Sequence, residues 1–202
     1  MSLRIRIAVL SLLMVPATAT AQHGAGEAPT LVTVAPAEAK QFSFLVGQWE
    51  LDVRPVMSAL AQAVHGQTKY VGTWKAWPAL DGWGVVDELR MSDESGNPKS
   101  FTHTVRTYDA TLKHWNSATL DVYHGAFLNT VGESKSSRDG QEVVVTGSSI
   151  DAQGVAYLTR MRFYDIKPNG FRADSERSTD SGKTWTATRR IVAKRIAASA
   201  PR

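Results

Sequence analysis

The chain has 202 residues, no cysteine, and 23 Lys and Arg against 19 Asp and Glu, for a formal charge of +4. Without cysteine there is no disulfide framework and no thiolate metal site, so the fold must rest on a buried core. The charge is small and forms no basic stripe, which excludes a nucleic-acid surface.

Arg4 and Arg6 precede an apolar run from Ile7 to Val15, and Ala19-Thr20-Ala21 follows as a small-residue cleavage site. These are the three parts of a secretory signal in order. The run of about nine residues is far short of the roughly 20 that a helix needs to cross a bilayer. Residues 1–21 are therefore expected to be cleaved off between Ala21 and Gln22, giving a periplasmic or secreted product with no membrane span. Removing them leaves 181 residues, a one-domain length, and lowers the charge to +2 because two of the 23 basic side chains go with them. Residues 22–40 are rich in Ala, Pro, Gly and Thr with no sustained period, and read as a flexible leader. The domain is expected over 41–197.

From Gln41 onward, short β-branched and aromatic runs alternate with turn clusters roughly every 10 to 14 residues, predicting about ten antiparallel strands. The first spans 44–53, where Trp49, Leu51 and Val53 alternate with Gln48, Glu50 and Asp52. Between Pro55 and Gln67, Val56, Met57, Leu60, Ala61 and Val64 recur at helical spacing, which predicts a short helix over 56–64. It would lie over one mouth of the fold or be a loop insertion packed on the outside. Strands follow near 68–77 and 83–91, the second of them after the Asp81-Gly82 turn. The 93–98 loop, rich in Asp, Ser, Gly and Asn, opens the next strands near 100–108, 112–121 and 126–135. Asp139-Gly140, the 151–154 turn and Asn169-Gly170 separate the last four, near 142–149, 155–166, 171–178 and 184–196.

So many sequential strands would leave two adhesive edges in an open sheet, so an up-and-down meander closed into a barrel is favoured. Eight strands enclose room for packed side chains or one small ligand, and ten enclose more.

Phe44-Leu45-Val46-Gly47-Gln48-Trp49-Glu50 resembles the F-L-x-G-x-W opening of bacterial exported lipocalin-like proteins, calycin-type barrels grouped as domains of unknown function. Three later segments are similar as well: Leu80 to Glu88, Arg106 to Asp109 with Lys113-His114-Trp115, and Ser178 to Trp185. The resemblance covers about 42 to 196. It implies a barrel with a cavity. It further implies that Gly47 and Trp49 close one end beneath an Arg from near the C-terminus, Arg189 or Arg195, in a cation–π contact worth roughly 0.5–2 kcal/mol.

Ser178 to Trp185 also fits S-x-D-x-G-x-T-W, resembling the Asp-box of sialidases. In a single copy it reads as a hairpin device, in which Asp180 accepts backbone N–H bonds, Gly182 supplies a permissive φ and Trp185 caps the turn. His65, His103, His114 and His124 are separated by 38, 11 and 10 residues, which is not metal-ligand spacing, so no metal is expected. His103 and His114 would face each other across a hairpin centred at 108–109. Nitrobindins share a ten-stranded barrel and a G-x-W opening, but their iron ligand resembles a late His, and none follows His124 here. No haem or other cofactor is expected, and only His103 or His124 would remain as an axial ligand.

No nucleophile elbow occurs. Asp87, Glu88, Arg106 and Tyr108 fall on central strands, and alternation puts Asp87 with Val85 and Leu89 on the buried face. Asp87, Arg106 and His103 are the catalytic candidates if the chain is an enzyme. Trp74, Trp77, Trp83 and Trp115, with His103 and Arg106, are the candidate ligand contacts, since aromatic linings suit apolar or planar molecules. The leading expectation is a non-enzymatic binder of a small apolar molecule. An enzyme using those three cavity residues, and an envelope interaction module, are the alternatives.

Overall fold

Alternation along the first strand defines the inside of the molecule. The computed structural model describes residues 33–132, 134–136, 142–150 and 153–198; the expected signal, 1–21, and residues 22–32 of the expected leader lie outside the described residues. In β1 (Gly47–Pro55), Trp49, Leu51 and Val53 are buried while Glu50 and Arg54 are exposed. The same period of two, set by the pleat, runs through β2 (Tyr70–Ala79), β3 (Gly84–Asp93), β4 (Pro98–Asp109) and β5 (His114–Asp121). After β6 (Ala126–Gly132) and β7 (Ser134–Ser136) come β8 (Val143–Ile150), β9 (Ala156–Lys167), β10 (Gly170–Ser178) and β11 (Thr186–Ala197).

These 11 strands form one antiparallel sheet in the order β6-β5-β4-β3-β2-β1-β11-β10-β9-β8-β7. The first and last strands pair with each other from Gln48 opposite Ala197 to Pro55 opposite Arg189. The edges of the order, β6 and β7, are neighbours in sequence, with only residue 133 between them. β6 pairs with β5, β7 pairs with β8, and β6 also lies alongside β8. The polypeptide thus passes from one end of the sheet to the other within a single run. Counting β6 and β7 together gives the expected ten-stranded meander curled into a barrel.

The helix expected over 56–64 forms at α1 (Ala59–His65), where Ser58 caps the start by accepting the Ala61 N–H at 3.2 Å and Gly66 ends it at φ 73°. None of its residues is buried, so it sits on the outside of the barrel. The ordered domain begins ahead of Gln41. A short 3-10 turn at Ala37–Lys40 buries Ala39, and a second at Ser43–Leu45 carries Leu45, with Phe42 before it, into one end of the barrel.

That end is closely packed and aromatic. Phe42 meets Trp115 edge-on at 4.7 Å between ring centres, Phe44 meets Phe163 at 5.4 Å, and Trp49 meets Phe171 at 4.8 Å. Contacts of this kind add roughly 0.5–1.5 kcal/mol each to the burial of the rings. Trp49 donates its indole N–H to the Leu45 carbonyl at 2.7 Å. Arg195 lies over its ring at 3.9 Å and donates to the carbonyls of Val46 at 2.7 Å and Phe44 at 3.3 Å. Of the two arginines that the resemblance offered for this role, the structure places Arg195 there, and Arg189 lies elsewhere.

Gly47 makes the arrangement possible. Its φ is +134°, and a Cβ on it would lie 2.2 Å from Arg195 Nη1. Both the backbone angle and the space for the guanidinium demand glycine.

The β10–β11 hairpin is built as its Asp-box pattern requires. Asp180 accepts the Thr184 N–H at 2.9 Å and the Thr184 hydroxyl at 2.6 Å, and Ser178 donates to it at 2.7 Å. Those bonds from Thr184, chiefly, hold its carboxyl down at about 2. Gly182 turns at φ +85°, and its carbonyl takes the Trp185 indole N–H at 3.1 Å.

Candidate functional site

On β5, β10 and β11 the inward face changes from apolar at the aromatic end to polar as the strand crosses the barrel. On β5, Trp115 is followed on the same face by Ser117 and Thr119; on β10, Phe171 and Ala173 are followed by Ser175 and Arg177. On β11, Arg189 precedes Ile191 and Ala193 on the inward face. Together these polar positions line a cavity of about 540 Å³, within the range that small-molecule sites occupy. Val145, Met161 and Phe163 supply its apolar surface. Ser117, Thr119, Thr159 and Ser175 contribute hydroxyls, and Tyr157 a phenol ring.

Arg106 stands at the boundary between the two ends. Asp87, 1% exposed, is held by an ion pair with Arg106 and by the Trp74 indole N–H, which donates to it at 2.8 Å. Asp87 and Thr104 are cross-strand partners, and the Thr104 hydroxyl lies 3.1 Å from that of Thr119. Burial pulls the Arg106 guanidinium down to about 10, so it is a cation at neutral pH. Its guanidinium also lies 5.7 Å from the centre of the Phe42 ring.

Arg177 and Arg189 bring further charge to the cavity. Arg177 stacks on the Tyr157 ring at 4.0 Å. Arg189 donates to the Ser175 hydroxyl at 3.3 Å and lies 3.9 Å from the Met91 sulfur, while its Nε is enclosed with no hydrogen-bond partner among the described residues. No carboxylate of the described residues lies within ion-pair distance of it. Burial holds its pKa below the ordinary value. Arg160, at the rim, is matched by Glu176 at 2.5 Å. Among the described residues, four arginines surround the cavity or its wall, with the carboxylates of Asp87 and Glu176 beside Arg106 and Arg160.

The residues singled out in the sequence divide between the two faces. Asp87 and Arg106 meet inside. His103 does not join them, because it is one residue out of phase with Arg106; it faces the outer carboxylate of Glu88 at 3.7 Å and the Trp77 ring at 6.0 Å. The three proposed catalytic groups therefore do not converge. Of the four candidate tryptophans, Trp74 and Trp115 are buried in the aromatic core, whereas Trp77 and Trp83 are half-buried outside the cavity. None of the four lines the cavity, and of the six candidate ligand contacts only Arg106 does.

His103 and His114 do not pair. Asp109 accepts the N–H groups of Thr111 and Leu112, both at 2.9 Å, which extends the turn and sets Asp109 opposite His114 and His103 opposite Leu120. His124 sits in an exposed turn, 2.9 Å from Asp121. Among the described residues no three His, Asp or Glu side chains are grouped to hold a metal ion. No helix of these residues is long and apolar enough to cross a membrane.

The hydroxyls, Tyr157, Arg177 and Arg189 had not been selected as ligand contacts. Their signal was the same alternation that placed Asp87, continued past the last apolar residue of each strand.

No protein-family model matches the chain, and no curated protein matches it. Among solved structures it is similar to one described as EF1p2_mFAP2b bound to DFHBI, at 8% identity and a TM-score of 0.39, over 79% of this chain and 99% of that one. It is also similar to a de novo designed fluorescence-activating β-barrel, at 10% identity and a TM-score of 0.34, over 76% of this chain and 94% of the other. At such distances neither likeness bears on what this chain binds.

Proposed function

We propose that this protein is an exported binding barrel that takes one small molecule into the cavity between β4, β5, β8, β9, β10 and β11. One observation carries the reading: a cavity of about 540 Å³ is lined by hydroxyls and arginines together with Val145, Met161 and Phe163. Such a lining selects a molecule with a polar end and an apolar body, rather than the largely apolar ligand expected from the tryptophans. A binding role is favoured over catalysis because Asp87 is fully engaged by Trp74 and Arg106, and His103 faces away from it. Export rests on the Arg4 to Ala21 pattern, and places the encounter with the ligand outside the cytoplasm.

Native mass spectrometry of the chain isolated from its host tests the reading. A small-molecule adduct is expected on the unaltered chain and absent from Gly147→Phe, whose ring would occupy the cavity from β8. A bare chain in both preparations contradicts it.

A further inference from the structure

We infer that the polar end of this cavity recognises an oxyanion, the carboxylate or phosphate group of a small organic molecule, with Arg189 as its principal contact. The inference rests on the binding reading above and specifies its ligand.

Burying a guanidinium is costly. A cation taken from water into a protein interior loses several kcal/mol of hydration unless an anion and hydrogen bonds replace it. Arg106 has that replacement in Asp87, and Arg160 has it in Glu176. Arg189 has only a neutral hydroxyl, Ser175, and a thioether, Met91. Its enclosed Nε has no hydrogen-bond partner among the described residues. An arginine held in this state is destabilising for the empty barrel, and an incoming oxyanion supplies the missing partner.

The surroundings fit that occupant. Arg177 lines the same cavity with its guanidinium over the Tyr157 ring at 4.0 Å. Guanidinium groups match the two oxygens of carboxylate or phosphate with paired N–H bonds. Ser175 offers a neutral donor beside Arg189. Phe163 and Met161 leave an apolar wall for the rest of the molecule. A cationic ligand would meet four arginines, with both nearby carboxylates already taken.

Calorimetric titration of the purified full chain with benzoate, phenyl phosphate and the uncharged benzamide tests this. At least one anion should bind saturably at one site per chain, and benzamide should bind roughly tenfold more weakly or worse, the scale of a charge-assisted contact. The stronger of benzoate and phenyl phosphate identifies the oxyanion. Arg189→Met should weaken the anion by a similar factor and leave benzamide unchanged. Ser175→Asp keeps the arginine but gives it an internal carboxylate, and should abolish anion binding while raising Tm, which keeps the test decisive if Arg189→Met does not fold. Equal affinity for benzamide and both anions overturns the oxyanion assignment and leaves the binding barrel standing. Failure of all three probes to bind overturns the assignment and counts against the binding reading as well.

Discussion

The two ends of the barrel interior are made by the same strands and serve opposite ends. At one, Phe42, Trp49, Trp74, Trp115, Phe163 and Phe171 fill the space, and the indole N–H groups of Trp49 and Trp74 are answered by Leu45 and Asp87. At the other, the side chains leave about 540 Å³ open, and the half-buried Arg189 has no anionic partner among the described residues. The lesson is that stability and recognition have been separated along the strand axis. On the proposed reading, one end is spent on packing, and the other tolerates unfavourable burial because a ligand would relieve it.

Substitutions at the two ends should therefore differ in sign as well as in size. Trp49→Ala removes the largest fully buried side chain of the aromatic end and should cost about 3–5 kcal/mol in urea unfolding. A loss under 1 kcal/mol would break the comparison. At the boundary, Asp87→Ala strands the Arg106 cation and should cost about 3–5 kcal/mol by the same measurement, with Asp87→Asn milder because the Trp74 bond can persist. Gly47→Ala introduces a Cβ where Arg195 sits and a strained φ, at about 1–3 kcal/mol. The Arg195–Trp49 contact should loosen with it, seen as a shift in tryptophan emission. Arg189→Met should instead stabilise the empty barrel, by on the order of 1 kcal/mol.

The smallest effect expected is a dependence on pH. Asp180 ionises at about 2 in the folded chain, below the 3.8 of an unperturbed carboxyl, because Thr184 donates to it. Its stabilisation is thus fully present above about 3.8 and is lost as the pH falls through about 2. Asp180→Ala should flatten the acid limb of the stability profile over that window.

Much of the fold was legible because it depends on local alternation. Asp87 was placed inside from Val85 and Leu89 alone, and the ten-strand count followed from turn residues. The hairpin expected at 108–109 is centred instead between Thr111 and Leu112. The Asp109 side chain bonds to Thr111 and Leu112, and the longer turn shifts the register under His103. The tryptophans misled for a different reason. Their size marks burial, but Trp74 and Trp115 are consumed by the core, so they report where the cavity is not. Arg189 and Arg195 were both open as the cation over Trp49, a role that Arg195 fills. Only the ring of strand pairings brings β10 and β11 round to face β4 and β5, and no local pattern encodes that meeting.

Thermal unfolding of the unaltered chain and of Arg189→Met, each with and without a saturating oxyanion such as benzoate or phenyl phosphate, tests the division most directly. Arg189→Met should melt higher than the unaltered chain when both are empty, and the anion should raise the Tm of the unaltered chain while leaving the variant nearly unmoved. An Arg189→Met chain that melts lower when empty, or that gains as much from the anion as the unaltered chain does, would contradict the account.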